Sequence, residues 1–258
     1  MASMTNENLL SERRDALARM KDPVRLVLFT NDVGCETCPD ARKLARAIKK
    51  SSPKIALEEY DIVMDRDKTM QYGIKRVPAL VVQGGEGYAV TFYGLLEDVF
   101  FGVLLETILA ISENKIWFPD YIRDTLNHLV EDVKLQVFVE SDCRQCRAVA
   151  ITAIGLAIKN KLIYTDIIIA SDFPELIKKH DIKILPKTIF GDNLHMDGHV
   201  SESEFLEMIF MAEGLQPSKG RRCLTCGKPS QDLICSECKN RIQAEAVEHK
   251  RKTDKAAR

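Results

Sequence analysis

The stretch that decides the fold is Cys35-Glu36-Thr37-Cys38, and Cys143-Arg144-Gln145-Cys146 repeats its pattern later in the chain. Each pair follows an apolar run typical of a β-strand, at residues 26–29 and 135–139, and precedes a helix-like pattern. A Cys-x-x-Cys between strand and helix places its first sulfur at a helix N-terminus, where unpaired N–H groups favour a thiolate. The second sulfur lies one turn further on, within reach of a disulfide, as thiol–disulfide exchange requires.

The spacing indicates that a whole unit is repeated, and not only the cysteines. Cys35 lies 43 residues before Pro78, and Cys143 lies 43 residues before Pro186. The offset between the two constellations is therefore 108 residues, and both prolines follow an apolar residue. A period near one hundred residues is too long for a solenoid repeat and matches a compact domain, so we interpret it as a duplication.

Composition is that of a globular protein with a basic end. The chain has 258 residues, of which 45% are hydrophobic and 29% charged, so it can form sizeable cores. The net charge of −1 implies no partner by itself. Residues 216–258 carry +6, however, and the remainder carries −7, so a basic appendage follows an acidic body.

Cysteine usage bears on the compartment. Residues 1–20 are charged and have no apolar core, and the apolar stretches at 99–111 and 148–158 are too short or interrupted for a membrane span. We therefore expect a cytoplasmic protein. Cysteines there are usually reduced, so eight of them, all in four Cys-x-x-Cys pairs, indicate catalysis or metal binding rather than a framework of structural disulfides.

The chain divides into four parts. A first unit at residues 1–115 and a second at 116–214 each predict a helix followed by the order βαβαββα, which makes the fold class α/β. A Gly- and Pro-containing linker then leads to a small segment with the last four cysteines at 221–240. The charged tail at 241–258 predicts either a short helix or disorder.

These features carry a family resemblance. A strand, a Cys-x-x-Cys, a helix, a strand and then an apolar–Pro dipeptide some forty residues on resembles the thioredoxin/glutaredoxin superfamily. Two such units in tandem look like the glutaredoxin-like protein disulfide oxidoreductases, over roughly residues 7–213. The resemblance implies two tandem thioredoxin-like domains. The last four cysteines separately resemble a small C-terminal zinc ribbon. The sequence has no phosphate loop or nucleotide fingerprint, and we expect no bound organic cofactor.

The resemblance also implies roles for individual cysteines. Cys35 and Cys143 would be the attacking thiols, and Cys38 and Cys146 would resolve the mixed disulfide. A scaffold with idle cysteines and a metal site are the alternatives. Both pairs are intact, however, and a proline that faces the sulfurs tends to block metal ligands, so we favour redox activity.

The same resemblance implies a substrate-binding backbone beside each pair. It predicts cis peptide bonds at Val77-Pro78 and Leu185-Pro186, which expose the preceding residue for pairing with an extended substrate.

One departure concerns the buried acid that thioredoxins carry at the end of the first strand. This chain has Phe29 and Val137 there, with Asp32 and Glu140 as nearby substitutes.

The charges beside the two pairs are opposite in sign. Glu36 and Asp40 flank the first pair, whereas Arg144 and Arg147 flank the second. Positive charge favours a thiolate, and a stabilised thiolate makes the corresponding disulfide more oxidising. We therefore expect the second pair to be the more oxidising one.

The last four cysteines predict a structural metal site. Tetrahedral Zn²⁺ needs four soft ligands, and two facing Cys-x-x-Cys knuckles supply them, with rubredoxin-like iron as the minority alternative. The predicted ligands are Cys223, Cys226, Cys235 and Cys238. Basic residues around them form a patch that could contact nucleic acid or an acidic protein, or remain a solvated tail. These are Arg221, Arg222, Lys239, Arg241, Lys250, Arg251 and Lys252.

Together the motifs predict a thiol–disulfide oxidoreductase that acts on protein disulfides. The resemblance implies that a flavoprotein disulfide reductase using NADPH supplies the electrons. The alternatives are an adaptor, in which thioredoxin-like domains are a scaffold for the zinc ribbon, and a redox-sensing regulator. Insulin reduction would distinguish the enzyme from the adaptor.

Overall fold

Alternating apolar and helical patterns give the first unit, residues 6–114, the predicted element order. The structure is a computed structural model that describes residues 6–85, 89–114, 118, 120–199, 201–215, 222–228 and 230–256. The elements of the first unit are α1 (Asn6–Ala18), β1 (Val24–Thr30), α2 (Cys38–Ser51), β2 (Ile55–Asp61), α3 (Arg66–Gln71), β3 (Ala79–Gln83), β4 (Ala89–Tyr93) and α4 (Asp98–Glu113).

The second unit, residues 118–215, repeats this order. Its elements are α5 (Asp120–Leu126), β5 (Val133–Val139), α6 (Arg144–Lys159), β6 (Ile163–Ile169), a 3₁₀ turn (Ala170–Asp172), α7 (Pro174–Lys179), β7 (Lys187–Phe190), β8 (Leu194–Asp197) and α8 (Glu202–Ala212). A capping box begins α8, because Ser201 Oγ accepts from the backbone of Glu204 while the Glu204 carboxylate accepts from the backbone of Ser201. The proposed boundary at 115/116 lies outside the described residues.

The chain ends in a long helix, α9 (Ser236–Ala256). Of the two alternatives for the tail, the structure therefore has the helix. Its first turns are anchored by Cys238 and Ile242, which are buried in the same apolar cluster as α8. No helix within the described ranges is long and apolar enough to cross a membrane.

All eight described strands form one continuous sheet, in the order β2-β1-β3-β4-β6-β5-β7-β8. The two units join because β4 pairs in parallel with β6, over Val90↔Thr165 to Tyr93↔Ile168. Within each unit the central strand pairs with one parallel and one antiparallel neighbour. The units are thus joined by backbone hydrogen bonds as well as by side-chain packing.

The repeat is less regular than the cysteine spacing suggests. The cysteines are offset by 108 residues, but β1 and β5 are offset by 109, because one more residue separates the strand from the first cysteine in the first unit. Phe29 therefore corresponds to Phe138. Each packs against the C-cap residue of the short helix in its own unit. Phe29 contacts Tyr72 after α3 and Phe138 contacts His180 after α7, with ring centroids 5.5 Å apart in both cases.

The sheet has a thick and a thin side. Residues of α1, α2, α4, α6 and α8 form the larger buried cluster on one face. On the other face, α7 and the loops around α3 cover a smaller cluster that includes Val27, Tyr93 and Phe173. The Cys-x-x-Cys helices belong to the thick side.

A tight turn closes the seam where the units meet. Gly94 has φ +98°, and a Cβ there would lie 2.8 Å from both Ile169 Cβ and Asp172 Oδ2. The Leu95 N–H donates to Asp172 Oδ2 at 2.7 Å. Only glycine allows this approach, so the seam depends on it.

Candidate functional site

Both redox pairs lie on the same edge of the sheet. The pairing pattern makes β1, β2, β4, β5 and β6 parallel to one another, and each Cys-x-x-Cys follows the carboxyl end of its strand. Four strand positions separate β1 from β5, so the two strands that lead to the pairs are about 19 Å apart.

The first pair is joined as a disulfide with its second sulfur buried. The S–S distance between Cys35 and Cys38 is 2.01 Å. Cys38 is buried, whereas Cys35 is half-buried. The Asn31 N–H donates to Cys38 Sγ at 3.4 Å. The attacking position is therefore the more accessible of the two sulfurs.

The first cysteine of this pair does not begin its helix, so that prediction is wrong for Cys35. The N-cap of α2 is Thr37, and Pro39 occupies its first turn. Proline there has a backbone angle already suited to the helix and lacks only an N–H that would be unpaired, which favours the later start.

The second pair has the predicted geometry. Cys143 is the N-cap of α6, and its Sγ accepts from the Cys146 N–H at 3.2 Å. The S–S distance is 2.09 Å, and Cys146 is buried while Cys143 is half-buried. The helix terminus therefore acts directly on the Cys143 sulfur.

Each pair faces a cis-proline turn at the same edge. The Val77-Pro78 and Leu185-Pro186 bonds are both cis, as the resemblance implied. The residue after each proline pairs with Phe29 or Phe138, near the end of the strand that leads to the cysteines. Val77 and Leu185 are half-buried, so part of each remains open to a substrate.

Ion pairs offset part of the charge around the two pairs. Asp40 contacts Lys43 at 2.9 Å in the first unit. In the second unit Arg147 contacts Glu106 of α4 at 2.6 Å. Glu106 also contacts Arg13 of α1 at 3.3 Å. The acidic and basic flanks are thus weaker than the sequence alone suggests.

The structure also shows what replaces the buried acid of thioredoxins. Asp32 pairs with Arg42 at 2.9 Å, and Glu140 accepts from the Ser171 N–H and hydroxyl at 3.0 and 2.8 Å. Both carboxylates are thus engaged with polar groups at the surface. Phe29 and Val137, near the ends of their strands, are both fully buried.

A buried acid that the sequence did not reveal is Asp166 on β6. Burial raises the pKa of its carboxyl, against the effect of the Lys134 ammonium 2.7 Å away. It lines a 410 Å³ groove on the thin side with Thr91 and Tyr93, far from the cysteine helices. The only available signal was one acid within an otherwise apolar strand.

Known proteins are similar to this chain in sequence and in fold. A family model described as the thioredoxin domain matches residues 133–211. A probable thioredoxin from Methanothermobacter thermautotrophicus is 37% identical over 62 residues, which are 24% of this chain and 72% of that protein. The chain belongs to the thioredoxin family. The thioredoxin of Methanocaldococcus jannaschii, 36% identical over 62 residues, likewise matches 24% of this thioredoxin-family chain and 72% of its own length.

Solved structures extend the likeness to both units of this thioredoxin-family protein. A protein disulfide oxidoreductase from Aeropyrum pernix K1 has a TM-score of 0.74 at 26% identity, covering 83% of this chain and 96% of that one. A mutant of the alkylhydroperoxide reductase AhpF from Enterococcus faecalis has a TM-score of 0.72 at 20% identity, covering 79% and 98%. The predicted tandem arrangement of thioredoxin-like units is confirmed.

This thioredoxin-family protein has a further cysteine cluster near its end. The sulfurs of Cys223, Cys226, Cys235 and Cys238 all lie within 4.8 Å of one another. Cys226 Sγ and Cys235 Sγ are 3.7 Å apart. Tetrahedral zinc with Zn–S bonds of about 2.3 Å requires sulfurs about 3.8 Å apart, so the four residues fit this metal.

Backbone amides favour a thiolate within the cluster. Burial opposes ionisation of Cys223, but hydrogen bonds from the backbone N–H groups of Cys235 and Cys226 outweigh it and lower the pKa of its thiol to about 6. Thiolates are the form in which cysteines bind metal. Burial raises the pKa of the Cys235 and Cys238 thiols, so a bound cation would have to stabilise their thiolates.

The segment that carries these four cysteines is docked on the second unit. Thr225 and Thr125 hydroxyls are 3.0 Å apart, and the Ile234 N–H donates to Glu207 Oε1 at 3.1 Å. Lys239 contacts Glu207 at 2.8 Å and Asp232 at 3.6 Å. Part of the predicted basic patch is therefore already paired with acids, and Arg221 lies outside the described residues.

Proposed function

We propose that this protein reduces or exchanges disulfides in other proteins through two independent dithiol sites. The observation that carries the proposal is the pair of disulfide-bonded Cys-x-x-Cys motifs on one sheet edge, each with a buried second sulfur and an adjacent cis-proline turn. A half-buried first sulfur can attack a substrate, while a buried partner waits for the intermediate.

The reducing half-reaction needs only the two cysteines. The thiolate of Cys143 attacks one sulfur of a substrate disulfide, and the other substrate sulfur leaves as a thiolate and takes a proton. Cys146, as a thiolate, then attacks the Cys143 sulfur of this mixed disulfide. The substrate sulfur that was bonded to Cys143 leaves as a thiolate, and the Cys143–Cys146 disulfide forms. Cys35 and Cys38 act in the same way in the first unit.

The backbone beside each proline orients the substrate. Val77 and Leu185 precede the prolines at the edge where the cysteines lie. An extended peptide that pairs with this backbone brings its disulfide to the attacking sulfur. We therefore assign Val77, Pro78, Leu185 and Pro186 to substrate binding.

Two electrons must return to each site after every turnover. A dithiol supplied by a flavoprotein disulfide reductase fits this need, and we propose such a protein as the donor. The cytosol is the fitting compartment, because four further cysteines are free thiols within reach of one metal ion.

We propose that Cys223, Cys226, Cys235 and Cys238 hold a structural zinc ion. When bound, zinc supplies a cross-link between two knuckles and no open coordination position. Cys223 and Cys238 belong to the same buried cluster as α8, and Cys235 packs against it, so the ion would stabilise the second unit. Since Lys239 and Lys252 already pair with acids, we do not carry the nucleic-acid alternative forward.

The boundaries 1–115, 116–214, 221–240 and 241–258 stay a proposed division. The division between residues 1–115 and 116–214 assigns one catalytic site to each part. It does not define two independently folding units, because β4 and β6 share a hydrogen-bonded ladder.

Insulin reduction by full-length variants tests the proposal. We expect Cys35→Ser and Cys143→Ser each to remove part of the activity, and the double variant to remove it to the uncatalysed rate. Cys226→Ser, in the metal cluster, is the matched control that should keep thiol exchange. Full activity in the double variant would contradict the assignment.

A further inference from the structure

The loops beside the first redox pair expose three apolar side chains. Val33 is 80% exposed, Val63 is 50% exposed and Met64 is 82% exposed. We call these three residues the apolar rim. Val33 lies between β1 and Cys35, and the other two lie just after β2, from which Ile62 separates them. Because β1 and β2 are parallel neighbours, both loops leave the sheet at the edge where Cys35 lies.

Hydrogen bonds hold the rim in place. The Asp61 carboxylate accepts from the N–H groups of Val63 and Met64 at 2.8 and 2.9 Å. It also accepts from the backbone N–H of Asp32, so it links the two loops. The Val33 N–H donates to Asn31 Oδ1 at 2.9 Å. The apolar side chains therefore point outward from an ordered backbone.

The corresponding two loops of the second unit lack these side chains. An exposed apolar residue near the second site, Ile184, lies instead before Leu185-Pro186 and is 59% exposed. The residues in the places of Val63 and Met64 are Ser171 and Asp172, which are tied to Glu140 and to the Leu95 N–H. The loop before Cys143 contacts the first unit, since Ser141 O accepts from the Val99 N–H at 3.1 Å. The seam thus occupies the space that is open beside Cys35.

We propose that the apolar rim is a specificity surface of the first site, which selects protein disulfides whose cysteine is flanked by apolar residues. The inference rests on the proposed function. Its occupant follows from the chemistry: a polypeptide that forms a mixed disulfide with Cys35 must place the neighbours of its own cysteine over these loops. Val63 and Met64 also line an open groove of about 650 Å³, whose other walls are Tyr60 and the charged residues Asp65, Arg66, Asp67 and Lys68.

The apolar surface has no other partner among the described residues, and removing it from water favours binding. The second site presents Ile184 in place of three apolar side chains, so it should discriminate less between apolar and polar flanks. The two sites then differ in the residues that they prefer beside a substrate cysteine, as well as in their reduction potentials.

The test uses full-length protein with one active site. In a Cys143→Ser/Cys146→Ser background, Val33→Ser/Met64→Ser is compared with the intact rim. The substrates are two disulfide peptides that differ only in Leu or Ser flanks, together with oxidised glutathione. We expect kcat/KM for the Leu peptide to fall roughly ten-fold, with little change for the other two.

Two controls fix the interpretation. Met70→Ser removes a residue that is 73% exposed but lies at the far end of α3, so it should have no effect. A protein with only the second site active should prefer the Leu peptide less strongly than a protein with only the first site active. Equal losses on all substrates, or none on the Leu peptide, would overturn the inference.

Other outcomes are distinguishable. If the intact protein reduces neither peptide, the proposed function fails as well. If sedimentation shows a dimer that dissociates in Val33→Ser/Met64→Ser, the rim binds a second copy of this chain, and the proposal of a substrate surface is wrong.

Discussion

Asp166 shows how one residue can make stability depend on pH. Burial raises the pKa of its carboxyl, and its ion pair with Lys134 offsets this only in part. In the folded state the Asp166 carboxyl therefore keeps its proton to higher pH than in the unfolded chain. Stability should fall as the pH rises above the ordinary aspartate pKa, and should level off above the folded pKa.

Asp166→Asn should remove this dependence. Relative to the parent protein, the variant should gain stability as the pH is raised from 4 to 8, because it has no carboxyl to ionise. Lys134, whose side chain is 46% exposed, can be solvated when its partner is removed. Urea unfolding across this range measures the difference. Asp192→Asn, in an exposed turn, is the control, and a similar profile in both variants would count against the explanation.

Two helices of the same type place their cysteines differently. Cys143 caps α6 and accepts its amide, whereas Cys35 lies before the N-cap of α2. Charge at a helix N-terminus is stabilised by about 0.3–1 kcal/mol, so the Cys143 thiolate gains more from its helix. This geometry adds to the charge argument made from the sequence, while the Glu106–Arg147 pair works against it.

We expect the second pair to have the higher reduction potential. The helix contribution alone corresponds to about 6–20 mV for a two-electron couple. Redox titration of full-length protein with one pair replaced by serines gives each potential separately. Glu106→Gln should raise the second potential further and leave the first unchanged. A first pair that is more oxidising than the second would refute the expected order.

The continuous sheet is the feature that the sequence could not reveal. Strand patterns, helix order and the places of the cysteines and prolines follow from local periodicity and spacing, and the structure has them. The β4–β6 pairing is made by backbone groups of edge strands, which carry no sequence signature. The one-residue difference between the strand offset and the cysteine offset was hidden for another reason. The length of the loop before the first cysteine does not alter the Cys-x-x-Cys motif.

The seam gives a prediction for the whole molecule. Gly94→Ala would place a Cβ 2.8 Å from Ile169 and impose φ +98° on alanine. We expect a loss of about 1–3 kcal/mol in the free energy of unfolding. Gly102→Ala is the matched control, because that helical position has no atom within 4 Å of the added Cβ. Denaturant titration compares them, and equal stability of the two variants would show that the seam tolerates a side chain.

A sheet that carries both redox pairs on one edge makes the protein bivalent. An extended chain of about six residues spans the roughly 19 Å that separates the two strands leading to these pairs. A polypeptide held at one centre presents its next disulfide to the other at an effective concentration in the millimolar range, whatever its concentration in solution. Clients with several closely spaced disulfides should then be processed in a single encounter, while those with one disulfide gain nothing from the duplication.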